Sequence, residues 1–292
     1  MKTGFLGLGA MGQSMARNLA RHGLLAAIWN RSADKAKAMA AKTGCHAAAD
    51  PAELARRCDA IMICVSADID VKAVIAALQP GLAPGKIVID CSTVSAETAR
   101  QSALRLYEQQ VDFLDAPVTG GTEGARLGTL SIMVGGDPAV FARAEPLFKA
   151  IGSRAVHMGP VGSGQSAKAV NQVMCAGINQ AVTEAMAFAT ALDLPLEKLI
   201  EVIGSGAAGN WFVNHRGLSM VEGRYPPGFK LALHHKDLAI CLDMAAQSGS
   251  DLPLVRETLQ DYVTLMAAGF GDEDISALYR LKCPALKNPG RK

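Results

Sequence analysis

The sequence predicts an α/β N-terminal half, built on a doubly wound, mainly parallel sheet, joined to an all-α C-terminal domain. Three observations carry that prediction. Short apolar runs alternate with helical patterns as far as residue 157, which is how a parallel sheet covered by helices reads. Two of the runs, Ala60-Ile61-Met62-Ile63-Cys64-Val65 and Lys86-Ile87-Val88-Ile89, are apolar almost throughout, as strands buried on both faces should be. From Gln165 onward the strand pattern is gone, and stretches rich in Ala, Met and Leu predict helices only.

Taken in order, strands are expected at 3–6, 25–29, 60–65, 87–90, 113–116 and 131–134. Helical patterns fill the gaps at 11–22, 33–43, 52–57, 71–78 and 96–109. The run Gly159-Pro160-Val161-Gly162-Ser163-Gly164 is the natural boundary. It divides a cofactor-binding domain at 1–163 from a helical substrate and oligomerisation domain at 164–283. One long helix is expected at 165–192, ending before Asp193-Leu194-Pro195. Residues 284–292, polar with two prolines, read as a flexible tail.

At 292 residues, two domains is the natural expectation, and an apolar half of the composition is ample for two cores. The net charge of +2 is dispersed, with no basic stripe, which argues against nucleic acid as a partner. Seven cysteines, Cys45, Cys58, Cys64, Cys91, Cys175, Cys241 and Cys283, are scattered without a C-x-x-C pair, so neither a disulfide framework nor a zinc site is expected. No signal peptide and no membrane span are visible, which makes a reducing cytoplasm the default.

Glycines at 7, 9 and 12 form G-x-G-x-x-G in the segment Gly7-Leu8-Gly9-Ala10-Met11-Gly12. Alone the pattern is weak. Here it follows a strand and opens a helix, the context in which it cradles a dinucleotide pyrophosphate in a Rossmann-type domain. Gly7 would permit the turn, Gly9 the close approach of the ligand, and Gly12 the packing of helix on strand. A plain glycine turn in an ordinary α/β protein is the competing reading. The next strand ends at Asn30-Arg31-Ser32, where an NAD site usually carries an acid for the ribose hydroxyl. Arg31 offers instead a guanidinium for a 2′-phosphate, with Asn30 and Ser32 as neutral partners, so NADP is favoured and NAD remains possible. The bland alternative is a solvated surface arginine. Val65 and Ser66, at and just past the end of the third strand, and Phe229 complete the expected cofactor contacts.

Two later segments fall on the ligand side of such a sheet. Ser92 and Thr93 present hydroxyls for a carboxylate or the nicotinamide, while Ser95 could simply cap the next helix. In Asp115–Ala125, Thr119, Gly120 and Gly121 leave backbone amides bare, a small anion site as readily as a plain loop. Past the boundary, Lys168 and Asn171 lie three apart and share a helix face. Directly behind the boundary glycines, that face is expected to look into the cleft. An ammonium in this apolar, Ala-rich setting can bond a carbonyl oxygen and deliver a proton. A surface lysine is the ordinary alternative. A further lysine, Lys236, follows His234 and His235 near a helix start; with no acid or cysteine cluster beside them, no metal is expected.

With these residues in view, the chain resembles the β-hydroxyacid dehydrogenase family over nearly its whole length, to about residue 281. The glycine fingerprint, Asp90-Cys91-Ser92-Thr93, the Asp115–Gly124 run, Gly162–Asn171 and His235-Lys236-Asp237-Leu238 match in order. The resemblance implies that Lys168 is catalytic and that Thr93 and Lys236 contact the cofactor. It further implies that Ser92, Thr93, Gly120, Gly121 and Asn171 surround a substrate carboxylate, and that the chain forms a homodimer or homotetramer. The expected reaction is reduction of a small aldehyde acid, of the tartronate semialdehyde, glyoxylate or succinic semialdehyde type, with NADPH. The alternatives are 3-hydroxyisobutyrate oxidation, an imine reductase of the same fold, and a catalytically silent NADP-binding module.

Overall fold

A computed structural model describes residues 1–283, so the tail expected at 284–292 lies outside the described residues. The chain divides into two compact units, Met1–Lys168 and the remainder from Ala169.

The first unit alternates strand and helix from its start: β1 (Thr3–Leu6), α1 (Gly12–Arg21), β2 (Leu25–Trp29), α2 (Ala33–Thr43), β3 (His46–Ala47), α3 (Pro51–Arg57), β4 (Ala60–Ile63), α4 (Asp68–Leu78), β5 (Ile87–Asp90), α5 (Ala96–Tyr107) and β6 (Asp112–Asp115). There follow β7 (Val118–Thr119), α6 (Gly121–Leu127), β8 (Leu130–Gly135), α7 (Pro138–Ile151) and β9 (Gly152–Gly159). The sheet runs in the order β3-β2-β1-β4-β5-β6-β8-β7, with β9 also pairing β8. β1 to β6 are parallel, while β8 meets β6 and β7 antiparallel. The order reverses direction between β1 and β4, and it is outside the carboxyl ends of strands at such a switch point that ligands bind in this architecture.

Alternation along the strands explains why helices cover both faces. Phe5, Met62, Ile87, Ile89 and Leu114 point to one core, shared with Met15 and Leu19 of α1, Met39 of α2 and Leu147 of α7. Their neighbours Leu6, Ile61, Ile63, Val88 and Phe113 point to the other, shared with Leu54 of α3, Val71 and Ile75 of α4, and Leu106 of α5. Each fully buried side chain of this size contributes roughly 1.5–3 kcal/mol relative to exposure.

Several boundaries move from the sequence expectation. The strand expected at 60–65 stops at Ile63, and the one at 113–116 is shifted back by one residue. The sequence did not announce β3, β7, α6, α7 or β9. In α7 the start is well signalled, since the Asp137 carboxylate accepts the N–H groups of Ala139 and Val140 and Pro138 opens the helix. Pro146 inside it disguises the rest.

Helix α8 (Ser163–Ala191) begins in the first unit and continues in the second as a single 29-residue helix. The second unit adds α9 (Leu196–Ser205), α10 (Trp211–Val221), α11 (Leu231–Ser248), α12 (Pro253–Ala267) and α13 (Tyr279–Lys282), with no strand element among the described residues. Its core gathers Met186, Phe212, Leu231, Leu238, Val255, Tyr262, Leu278 and Tyr279. Two buried polar groups inside it are bonded: Asn179 Nδ2 donates to the Tyr262 hydroxyl at 2.9 Å and to the Ile275 carbonyl at 2.9 Å.

Candidate functional site

The glycine turn after β1 shows a distinct steric reason at each of its three positions. Gly7 has φ +92°, and a Cβ there would stand 2.2 Å from the Cys64 carbonyl oxygen. A Cβ on Gly12 would lie 1.9 Å from the Gly7 carbonyl oxygen. Around Gly9 a Cβ would meet nothing within 4 Å. Gly7 and Gly12 are demanded by the protein's own backbone. Gly9 borders open space, with Ala10 exposed beside it and Met11 half-buried at the helix start. No side chain caps α1; the Gln13 N–H bonds the Gly9 carbonyl at 3.2 Å, and those of Ser14 and Met15 bond the Met11 carbonyl at 3.0 and 3.1 Å. A helix start uncapped by any side chain, beside an unfilled notch, fits a pyrophosphate.

Asn30, at the end of β2, braces this turn. Its Oδ1 accepts the Leu8 N–H at 2.9 Å and its Nδ2 donates to the Ser32 carbonyl at 3.1 Å. Ser32 occupies the N-cap position of α2 yet makes no capping bond with its side chain. Arg31 is 90% exposed at its side chain and lies 3.7 Å from Asp70 Oδ1, a loose surface pair.

The tips of β4, β5 and β6 are different in kind. Beyond β4, the Val65 N–H donates to Ser92 Oγ at 2.9 Å, and Ser66 is exposed. Ser92 is itself buried, and its own N–H donates to Asp90 Oδ1 at 2.9 Å. Burial pushes the Asp90 carboxyl up to about 7, against the pull of its bonds to Ser92. Thr93, next in the loop, is half-buried. Gln165, in the first turn of α8, reaches this loop: Nε2 donates to the Ser92 carbonyl at 2.8 Å and Oε1 accepts the Val94 N–H at 3.2 Å. Asp115, at the end of β6, accepts the N–H groups of Gly162 at 2.8 Å and Gln165 at 2.9 Å. Asp115 and Gln165 escaped the sequence reading. Asp115 had a readable signal, a carboxylate ending a buried strand and therefore in need of donors.

The glycine run after β6 is less open than expected. Val118 and Thr119 form β7, and Gly120 and Gly121 take φ +125° and +62° before α6 begins at Gly121. The bare amides are thus those of a short first helical turn rather than of a loop.

Lys168 is buried at 7% exposure, in the second turn of α8 and one turn after Gln165. Asn171 follows it on the same helix, half-buried, its Nδ2 donating to Gln172 Oε1 at 2.8 Å. In the second unit, Lys236 Nζ is 2.8 Å from Asp237 Oδ1, and Gln172 Nε2 donates to the other Asp237 oxygen at 2.5 Å. Phe229, two residues before α11, has its N–H on Asp274 Oδ2 at 3.0 Å and its ring 5.2 Å from that of His234. His234 is fully buried, with Nδ1 3.0 Å from the Tyr262 hydroxyl. Among the described residues no group of three or more His, Cys, Asp or Glu is arranged to hold a metal, and no helix is long and apolar enough to cross a membrane.

Comparison with known proteins covers the chain in two blocks. Residues 2–162 match the NAD-binding domain of 6-phosphogluconate dehydrogenase, and residues 162–282 match the NAD-binding family of NADP-dependent 3-hydroxyisobutyrate dehydrogenase. An uncharacterized oxidoreductase of Shewanella frigidimarina is 38% identical, over 95% of this chain and 96% of its own length. The 2-hydroxy-3-oxopropionate reductase of Escherichia coli is 36% identical, over 95% and 96%. Among solved structures, Mycobacterium tuberculosis 3-hydroxyisobutyrate dehydrogenase with L-serine superimposes with a TM-score of 0.86 at 30% identity, covering 96% of this chain and 98% of that one.

Proposed function

We propose that this chain, which belongs to the β-hydroxyacid dehydrogenase family, interconverts a small aldehyde acid and its hydroxy acid with NADP(H), using Lys168 as general acid and base. The substrate class is that of tartronate semialdehyde, glyoxylate and succinic semialdehyde. The uncapped start of α1 and the unfilled notch at Gly9 support placing the pyrophosphate on Gly7–Gly12. Arg31 and the uncommitted capping position of Ser32 support a 2′-phosphate, and hence NADP over NAD. When bound, the nicotinamide supplies hydride to the carbonyl carbon or takes it back.

The remaining chemistry falls to the chain's own side chains. The Lys168 ammonium hydrogen-bonds the carbonyl oxygen and gives it a proton as the alcohol forms; in the oxidative direction the amine takes that proton back. Ser92, Thr93, Asn171 and the amides at Thr119, Gly120 and Gly121 are the groups assigned to the substrate carboxylate, and Lys236, Val65, Ser66 and Phe229 those assigned to the cofactor. The observation that carries the reading is the burial of Lys168 one helical turn from a residue bonded to the Ser92–Val94 loop. An apolar stripe left exposed along α8, Val170, Met174 and Phe188, supports self-association of the helical unit.

The test is absorbance of NADPH and NADH against a panel of small aldehyde acids and 3-hydroxy acids. Turnover of an aldehyde acid with NADPH ahead of NADH is the expected result. Absence of turnover across the panel with either cofactor would overturn the reading.

A further inference from the structure

The position of a side chain on a helix is fixed by where the helix starts and how it is rotated, and at the start of α8 both are set by buried side chains. Asp115 takes two N–H groups at that start, those of Gly162 and Gln165. The space around its carboxylate is cleared by glycines. A Cβ on Gly135 would stand 2.4 Å from Asp115 Oδ1, and one on Gly164 would stand 2.5 Å from both the Asp115 and Met133 carbonyl oxygens. The first turn is therefore pressed against the ends of β6 and β8 at backbone distance. Gln165 supplies the second constraint, bonding the Ser92 carbonyl with its amide nitrogen and the Val94 N–H with its amide oxygen. Both groups are buried, at 0% exposure for Asp115 and 1% for Gln165, so neither bond competes with water. Burial raises the Asp115 carboxyl, and the backbone N–H groups of Gly162, Gln165 and Gly164 oppose that rise.

We infer that Asp115 and Gln165 are positioning residues that hold Lys168 in place against the Ser92–Val94 loop. Asp115 fixes the height and seat of the helix start, and Gln165 fixes its rotation. The inference rests on the proposed role of Lys168. Displacing a reacting group by an ångström can cost on the order of 10²-fold in rate, so these bonds act on turnover while touching no substrate.

The experiment compares Asp115→Asn, Gln165→Met and Gln165→Glu, each alone and combined with Lys168→Ala. Steady-state kcat and KM, NADPH affinity and the thermal midpoint are measured for the singles. Single-turnover rates with enzyme in excess are measured for the combinations. Asp115→Asn and Gln165→Met are expected to lower kcat by about 10- to 100-fold, with KM and NADPH affinity within about threefold of the parent. Gln165→Glu, which keeps the acceptor for Val94 but loses the donor to Ser92, falls between Gln165→Met and the parent. In the Lys168→Ala background the same substitutions add less than about twofold, because their effect is transmitted through the missing ammonium. Should Asp115→Asn fail to fold, the two Gln165 variants decide the matter. Parental kcat in the Gln165→Met enzyme, or losses that repeat undiminished without Lys168, would sink the inference. Active positioning variants beside an inactive Lys168→Ala enzyme overturn this inference alone. A fully active Lys168→Ala enzyme removes the proposed function first, and this inference with it.

Discussion

The two ends of the ligand-facing edge are built on opposite principles. At the tip of β2, Arg31 stands in water with one loose partner, and Ser32 leaves its capping position unused. At the tips of β5 and β6, Asp90, Ser92, Asp115 and Gln165 are buried and bonded to backbone groups across three segments. The contrast teaches where this fold places precision. On the proposed function, the exposed end would meet a phosphate, which tolerates a screened, adjustable cation, and the buried end would carry proton transfer, which needs groups set in place by desolvated hydrogen bonds.

That contrast can be broken or sharpened by substitution. The largest effect is expected in the glycine turn joining the two ends. Gly12→Ala forces a methyl into the Gly7 carbonyl and should cost about 3 kcal/mol of stability in urea unfolding. Gly9→Ala, facing open space, should leave the midpoint almost unchanged while weakening dinucleotide binding. Equal destabilisation by the two would end the distinction between glycines required by the fold and those required by a ligand.

At the buried end, Lys168→Ala should lower turnover by about 10²-fold or more while leaving NADPH titration nearly unchanged. Near-normal turnover would break the reading of that end as the chemical one. At the exposed end, Arg31→Ala should weaken NADPH about tenfold and NADH hardly at all. Equal losses for both cofactors would show that Arg31 does not read the 2′-phosphate.

A pH dependence is also expected at Asp90, whose carboxyl is raised by burial from 3.8 to about 7. The folded chain keeps this proton over a range in which the unfolded chain has lost it. The group's contribution is therefore complete below pH 3.8, declines as pH rises, and is gone above about 7. Asp90→Asn lacks this decline, so relative to the parent it should gain stability between pH 5 and pH 8 in urea unfolding. A difference that stays flat with pH would mean that Asp90 is ionised in the native protein.

The parts of the fold that the sequence announced are those buried on both faces or marked by backbone necessity. β1, β2, α2 and β5 fall where the apolar runs and turn residues put them, because periodicity and burial coincide there. β9 was not among the expected strands: it alternates exposed and half-buried residues, and Ser153 and Arg154 dilute its apolar signal. α6 hid behind Gly120, Gly121 and Gly124, which read as loop although Gly121 starts a helix. The fingerprint glycines were legible for the same reasons that the geometry displays, since a steric demand on one residue is local. Asp115 and Gln165 were not, because their partners lie 47 to 73 residues away and only the folded topology brings them together.

The cysteines just past β4 and β5 carry a last consequence. Cys64 and Cys91 follow the adjacent strands β4 and β5, and burial pushes the Cys64 thiol up to about 12 and the Cys91 thiol well above its ordinary value. Thiolate is the form that peroxide and alkylating agents attack, and neither residue supplies it at neutral pH. Oxidants that act through low-pKa cysteines would therefore react more slowly at these two strand tips than with an ordinary thiol.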